Sequence, residues 1–233
     1  MTHYPGDATP PAPVRVLAIN PNTNPTVTQR VREVLQAQAP PGVIIEAESP
    51  HQGPRAVENG QDKTRAAGHV MALIESRMAQ GYAGYILACF DDIAVAEARA
   101  LTGAPVISLA EAGIRRADAT GGPFTVITTF EGAVATIESL CECYGVKERC
   151  RVVATGIGVS ETAARTTLAE TRLASLCEGA RAEGARAIVL GSGAFAGRGA
   201  QLARRHGLPV MDGFAEALAF VLRQAEPLRA RST

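Results

Sequence analysis

The amino-acid sequence predicts an α/β fold of two pseudo-symmetric halves, each built on a parallel sheet, with the active site in the cleft between them. Two observations carry this prediction. Short β-branched runs alternate with helical apolar patterns along the 233 residues, which is typical of parallel sheets. The pattern also restarts after Gly121-Gly122-Pro123, and the run from Tyr85 to Cys89 in the first part matches the run from Ile188 to Ser192 in the second.

The predicted first half covers residues 14–115. Its strands are expected where short apolar runs end in turn residues, at 14–19, 43–47, 85–88 and 106–109. Helices are expected where apolar residues recur at helical spacing: after Pro25, over 61–78, and from Ala110 onward. The polar stretch 49–60 between them predicts a surface loop.

The predicted second half covers residues 116–225 and repeats this order. Strands are expected at 124–127, 151–154, 187–190 and 208–211. One helix carries Val134, Ile137 and Cys141, a second begins with Ser160 as its N-cap and runs to Leu176, and the last ends near Gln224. Residues 1–13 predict a proline-rich disordered arm and 226–233 a tail, and part of the C-terminal segment is a candidate for returning to the first half.

Composition excludes several classes of partner. The formal net charge is zero and aromatic residues make up 4% of the chain, so we expect no nucleic-acid and no membrane-surface partner. No apolar run reaches the roughly 18 residues of a membrane span. The N-terminal residues do not resemble a signal peptide, and five cysteines form an odd set without paired spacing. We therefore expect a cytoplasmic protein with free thiols.

Parallel sheets bind ligands at the carboxyl ends of their strands, so the residues that follow the strands are the candidate site. These are Asn20 to Thr23, Cys89, Thr128, Thr129 and Ser192. If the two halves face one another, Cys89 and Ser192 flank one substrate from opposite sides. Each also has a purely structural interpretation: a buried thiol for Cys89, a small turn residue for Ser192, and helix caps for the others.

Several short motifs, in order, resemble the aspartate/glutamate racemase superfamily and, within it, the hydantoin and allantoin racemases. The most specific motif is Ile19-Asn20-Pro21-Asn22-Thr23 after the first strand. The supporting motifs are Gly53-Pro54-Arg55-Ala56-Val57-Glu58, Ile86-Leu-Ala-Cys89-Phe90-Asp91, Val126-Ile-Thr-Thr129, Ile188-Val-Leu-Gly191 and Pro209-Val-Met-Asp212-Gly213. The resemblance extends from Val14 to about Leu222.

This resemblance implies a homo-oligomeric, cofactor-independent enzyme that acts on a small molecule. One cysteine thiolate removes a proton from a carbon next to a carbonyl, and a second cysteine on the opposite face returns one. Cys89 is the first of these. The backbone N–H groups after Cys89 and Ser192, with the side chains of Asn20, Thr128 and Thr129, are expected to stabilise the enolate. The resemblance further implies that Thr23, Phe90, Gly193 and Ala194 contact the substrate.

The chain departs from the family pattern at Ser192, which stands where the second cysteine is expected. An alcohol is a far weaker acid than a thiol. Three hypotheses follow: a Cys-to-Ser variant of a racemase, a one-cysteine enzyme that protonates one face as arylmalonate decarboxylases do, or a nucleophilic Cys89 as in maleate isomerases. A non-catalytic small-ligand-binding protein is the hypothesis from another class.

Other patterns carry less weight. The run from Gly191 to Ala196 matches a dinucleotide-binding G-x-G-x-x-A, but too few residues follow it to build that half-fold. Cys141, Cys143 and Cys150 lack metal-site spacing and a nearby histidine, so we expect no metal. Charged residues are scarce at the strand ends, which favours a neutral ring over a dicarboxylate as substrate.

Overall fold

A computed structural model of the chain describes residues 13–230, with side chains as far as residue 226. Most of the predicted arm and the last three residues of the predicted tail lie outside the described residues. The first half contains a four-stranded parallel sheet in the order β2-β1-β3-β4. Its elements are β1 (Val14–Ile19), α1 (Pro25–Gln36), β2 (Val43–Glu48), α2 (Gly60–Arg77), β3 (Gly84–Leu87), α3 (Val95–Thr102), β4 (Val106–Ser108) and α4 (Leu109–Asp118).

The second half repeats this arrangement in a four-stranded parallel sheet of order β6-β5-β7-β8. Its elements are β5 (Phe124–Thr128), α5 (Val134–Cys143), β6 (Cys150–Ala154), α6 (Val159–Ala163), α7 (Thr167–Ala182), β7 (Ala187–Leu190), α8 (Gly199–His206), β8 (Val210–Met211) and α9 (Phe214–Ala230). The same strand order in both sheets confirms the predicted fold class.

Alternation along the central strands divides the apolar side chains between separate cores. Val16 and Ala18 of β1 point into a core that also contains Val126 of β5, so this core is shared by both halves. Leu17 and Ile19 point to the opposite face, into a core of the first half alone. A third core covers the outer face of the second sheet. Burial on both faces explains why the buried stretch 16–19 of β1 is apolar at every position.

The last helix, α9, crosses back to the first half and packs against β3 and β4. Gly84 at the start of β3 makes this possible. A Cβ atom on Gly84 would lie 2.5 Å from Val221 Cγ1 of α9 and 2.8 Å from the Pro105 carbonyl oxygen. The absence of a side chain at residue 84 therefore lets the helix and the neighbouring strand approach this closely.

Two helical segments differ from the predictions. Helix α3 was not predicted between β3 and β4. The single helix expected from Ser160 to Leu176 is instead two helices, because Arg165 adopts a left-handed backbone conformation with φ of 56° and interrupts it. Ser160 lies inside α6, and Thr166 caps α7 by accepting a hydrogen bond from the Ala169 N–H at 3.3 Å. Among the described residues no helix is long and apolar enough to cross a membrane.

Candidate active site

A cavity of about 270 Å³ lies at the carboxyl ends of the central strands, between the two halves. Its wall contains Cys89 and Phe90 after β3, Thr128 and Thr129 at the end of β5, and the segment 192–194 after β7. Seven of the nine residues predicted for the site therefore border one space: Cys89, Phe90, Thr128, Thr129, Ser192, Gly193 and Ala194.

Cys89 is half-buried where the chain leaves β3. The Ala88 N–H donates to the Ile19 carbonyl oxygen of the neighbouring strand at 2.8 Å. The Cys89 N–H instead donates to the Leu87 carbonyl oxygen of its own chain segment at 2.9 Å, so the sheet pairing ends at this residue. Burial raises the pKa of the Cys89 thiol to about 12, and the nearby charge of Asp91 also raises it, while that of Lys63 lowers it. At neutral pH the side chain is thus a thiol in the free protein.

Lys63 of α2 crosses above the segment that follows Cys89. Its Nζ lies 2.5 Å from Asp91 Oδ2 and donates a hydrogen bond of 3.4 Å to Thr136 Oγ1 of α5. Because α2 belongs to the first half and α5 to the second, this lysine links the two halves at the cavity wall. It also neutralises the carboxylate that lies two residues after the thiol.

Asp92 forms a second link between the halves. Its Oδ1 accepts a hydrogen bond of 2.5 Å from Ser108 Oγ, and its Oδ2 accepts one of 2.5 Å from the Tyr144 hydroxyl of the second half. Ser108 Oγ in turn accepts from the Glu111 N–H at 3.0 Å and caps α4. Burial, followed by the bond to Asp92, raises the pKa of Tyr144. The phenol therefore stays neutral and fixes the segment after Cys89.

Ser192 follows β7 at the position equivalent to Cys89. The preceding residue must be small, because a Cβ atom on Gly191 would lie 2.7 Å from Val126 Cγ1. Ser192 Oγ accepts a hydrogen bond from the Ala194 N–H at 3.2 Å, which closes a tight 3-10 turn over 193–195. Within residues 13–226 this hydroxyl donates no hydrogen bond, so its hydrogen can point towards a ligand.

Arg198 fixes the segment 192–198, which we call the Ser192 loop. This arginine is 2% exposed, and its guanidinium donates to the Ala194 carbonyl oxygen at 2.6 Å and the Thr162 carbonyl oxygen at 2.5 Å. Glu170 Oε1 lies 3.0 Å from the same guanidinium. Arg198 thereby ties the Ser192 loop to α6, which itself borders the cavity.

The two threonines at the end of β5 differ in what their hydroxyls can do. Thr128 Oγ1 is buried and donates to the Gly191 carbonyl oxygen at 3.0 Å. In this structure its hydrogen therefore joins β5 to β7 and does not point to a ligand. For Thr129 no hydrogen bond from the hydroxyl is seen within residues 13–226, so this side chain is the better donor.

Asn20 and Thr23, which were predicted to contact the substrate, are not among the residues that border the cavity. Asn20 is 1% exposed, and its Nδ2 donates to Asn22 Oδ1 at 2.9 Å and to Thr28 Oγ1 at 3.1 Å. Thr23 Oγ1 donates to the Pro54 carbonyl oxygen at 3.4 Å. Both residues shape the loop that presents Asn22 and Asn24 to the cavity instead.

The cavity wall carries more charge than the strand ends indicate. Its charged side chains come from helices and loops, where a strand-end pattern does not show them: Arg30, Glu58, Lys63, Asp91 and Arg165. Charge is scarce at the strand ends but not in the site as a whole. The strand ends alone therefore do not indicate that the substrate is a neutral ring.

The remaining cysteines lie away from this wall. Cys141 is buried on the apolar side of α5, as its spacing predicts, and its Sγ lies 3.1 Å from Cys150 Sγ. No group of three potential metal ligands is found in the described part of the chain. The cavity wall offers a thiol, hydroxyls, amides and charges as its reactive groups.

Comparison with known proteins identifies the family. The family model described as Asp/Glu/Hydantoin racemase matches residues 16–221. The chain belongs to this family. A hydantoin racemase of Rhizobium meliloti is 33% identical over 202 residues, which cover 86% of this chain and 84% of that protein. The structure of an allantoin racemase from Klebsiella pneumoniae is 33% identical with a TM-score of 0.85, covering 94% of this chain and 89% of the other.

More distant structures share the fold of this racemase family. The maleate isomerase Iso from Pseudomonas putida S16 superposes with a TM-score of 0.62 at 18% identity, covering 90% of this chain and 92% of that one. An arylmalonate decarboxylase has a TM-score of 0.60 at 18% identity, with coverage of 91% and 92%. The chain is thus an enzyme of the racemase and isomerase class, on a fold that also supports other chemistry.

Proposed function

We propose that this protein catalyses cofactor-independent proton transfer at the C5 carbon of a hydantoin-type ring, such as a 5-substituted hydantoin or allantoin. The observation that carries the proposal is that Cys89 and Ser192, at equivalent positions of the two halves, border the same cavity. A substrate carbon between them has one face towards a thiol and the other towards a hydroxyl. The similarity to hydantoin and allantoin racemases supports the choice of ring.

The chemistry needs a base, an acid and a place for negative charge. Loss of the C5 proton generates an enolate, whose oxygen requires hydrogen-bond donors that are already in position. The Thr129 hydroxyl and the Gly193 N–H border the cavity and can supply them. Cys89 takes up the proton as a thiolate in one direction and returns it as a thiol in the other.

The raised pKa of Cys89, about 12, favours the thiol form, so its stronger role is proton donor. On the opposite face Ser192 offers only a hydroxyl, which is a poor base at neutral pH. Only the small thiolate fraction of Cys89 can remove a proton, and Ser192 is a weaker base still, so we expect exchange of the proton that faces Cys89 to be slow but faster than inversion of the carbon. The same asymmetry favours a second candidate, a one-cysteine lyase or isomerase that protonates a single face.

The experiment is to follow each enantiomer of allantoin and of 5-benzylhydantoin in D₂O by proton NMR and chiral chromatography. Wild-type protein should incorporate deuterium at C5 of one enantiomer faster than it inverts the carbon. Cys89→Ala should abolish exchange, whereas Ser192→Cys should accelerate inversion by at least tenfold. Ser192→Ala is the control for the size of the side chain.

The outcomes separate the hypotheses. If exchange persists in Cys89→Ala, the assignment of the thiol is wrong. Binding of the rings without exchange in any variant would identify a ligand-binding protein. If the rings are inert but an arylmalonate or maleate is converted in a Cys89-dependent reaction, the one-cysteine alternative is correct.

A further inference from the structure

We infer that Arg165 selects substrates whose C5 substituent carries a carboxylate. This inference rests on the proposed function and names its substrate class. The cavity wall carries three cationic and two anionic side chains: Arg30, Lys63, Arg165, Glu58 and Asp91.

The two other cations have partners that reduce their attraction for a ligand. Lys63 is held 2.5 Å from Asp91, so this pair contributes little net charge. Arg30 lies 3.4 Å from Glu33 on the same helix, in an exposed pair that solvent screens. For Arg165 no carboxylate partner is found within residues 13–226. Arg165 is therefore the wall cation that is most available to an anionic group.

The backbone of Arg165 is specifically held. Its left-handed conformation, with φ of 56°, ends helix α6 and is costly for a residue with a side chain. The Arg165 N–H donates to the Thr162 carbonyl oxygen at 3.1 Å, and the same carbonyl accepts from buried Arg198 at 2.5 Å. The position of Arg165 is thus coupled to the Ser192 loop.

The electrostatic surroundings support an anion at this place. Burial lowers the pKa of the Arg198 guanidinium, and the charges of Arg165 and Arg30 lower it further. Arg165 and Arg30 therefore both lie near Arg198, whose own carboxylate partner is Glu170. A substrate carboxylate between Arg165 and Arg30 would contact both halves and place a negative charge beside these cations. Glu58, also on the wall, opposes the binding of anions.

The test uses two hydantoins of nearly equal size, 5-(2-carboxyethyl)hydantoin and 5-(2-carbamoylethyl)hydantoin, which differ by one negative charge. Calorimetry gives Kd, and NMR gives the rate of deuterium exchange at C5. Wild-type protein should bind the carboxylate at least tenfold more tightly than the carboxamide. Raising NaCl from about 50 mM to 500 mM should reduce this preference, because salt screens charges.

Arg165→Gln should lower the preference to less than threefold, mainly by weakening the binding of the carboxylate, whereas Arg165→Lys should retain part of the preference. The matched control is Arg172→Gln, an exposed arginine of α7 outside the cavity wall, which should behave as wild type.

Equal binding of both ligands by wild-type protein, or an undiminished preference in Arg165→Gln, overturns the inference. In that case exchange of both rings leaves the proposed function intact. Carboxylate preference in binding without exchange of either ring refutes the proposed proton transfer but supports the anion site. Failure of both ligands to bind overturns both proposals.

Discussion

Asp91→Asn tests whether charge next to Cys89 controls the reactivity of the thiol. Relative to an ordinary value of 9.0, the pKa of Cys89 is raised to about 12, chiefly by burial and next by Asp91. Three units correspond to about a thousandfold less thiolate than an ordinary cysteine forms at the same pH. The substitution removes one of these causes and retains Lys63, whose charge lowers the pKa.

The size of the effect follows from the geometry. At an effective dielectric constant of about 20, a charge a few ångströms away is worth roughly 2–4 kcal/mol. Lys63, 2.5 Å from Asp91, keeps its charge in the variant, so the change in pKa equals the contribution of Asp91 alone. Solvent at the partly exposed Cys89 screens this contribution to about 1.4 kcal/mol, which is one pKa unit and about a tenfold gain in thiolate. Burial is unchanged by the substitution, so the pKa stays above that of an exposed thiol.

The assay is alkylation by iodoacetamide between pH 7 and 9.5, followed at each cysteine by mass spectrometry. Exposed Cys143 provides an internal reference in every sample. The rate at Cys89 should rise tenfold per pH unit without a plateau in wild-type protein, and should be about tenfold higher throughout in Asp91→Asn. Asp118→Asn, which removes an exposed carboxylate paired with Arg149, is the control. A plateau below pH 9, or an unchanged rate in Asp91→Asn, would refute this account of the site.

Three further predictions concern stability. Arg198→Met should lower the free energy of unfolding by about 2–4 kcal/mol in urea titrations, because it leaves two carbonyl oxygens without their charge-assisted donors. A loss below about 1 kcal/mol would show that Arg198 does not hold the Ser192 loop. Tyr144→Phe should lower the free energy of unfolding by about 1–3 kcal/mol, because Asp92 Oδ2 loses its partner from the second half, and the rate of deuterium exchange should fall as well. Unchanged stability together with an unchanged exchange rate would show that this bond does not link the halves. Burial raises the pKa of Cys177 to about 12, so the unfolded chain loses this proton first and stability falls as the pH rises from 9 towards 12. Between pH 9 and 10 wild-type protein should therefore lose about 1 kcal/mol more than Cys177→Ala, and parallel pH profiles would contradict this.

The fold follows from the sequence where one local signal dominates. Strands β1 and β7 have the predicted bounds because their buried stretches, 16–19 and 187–190, are continuous apolar runs that are followed by turn residues. Helix α3 escapes prediction because it has only eight residues and buries only Val95 and Ala98, which is too short a stretch to show a helical period. The break between α6 and α7 escapes it because an arginine gives no sign that it adopts a left-handed conformation.

The candidate site is predictable to a similar extent. Residues immediately after the central strands can be placed at the cavity because topology alone puts them there, which holds for Cys89, Thr129 and Ser192. Within the loop after β1, however, the sequence does not show which asparagine faces inward, and Asn22 rather than Asn20 does so. Lys63 and Arg165 lie on or between helices, and only the packing of the two halves brings them to the wall.

The return of α9 to the first sheet also determines the order in which the protein can fold. Strand β3 is synthesised long before residues 214–226, yet its Gly84 face is covered by Val221 of this late helix. The first half therefore leaves the ribosome with an uncovered sheet surface and completes its packing only after both sheets have been translated. Because β3 leads directly into Cys89, the reactive thiol reaches its final position late. A chain truncated before α9 would contain every residue around the cavity, but we expect its active site to lack order.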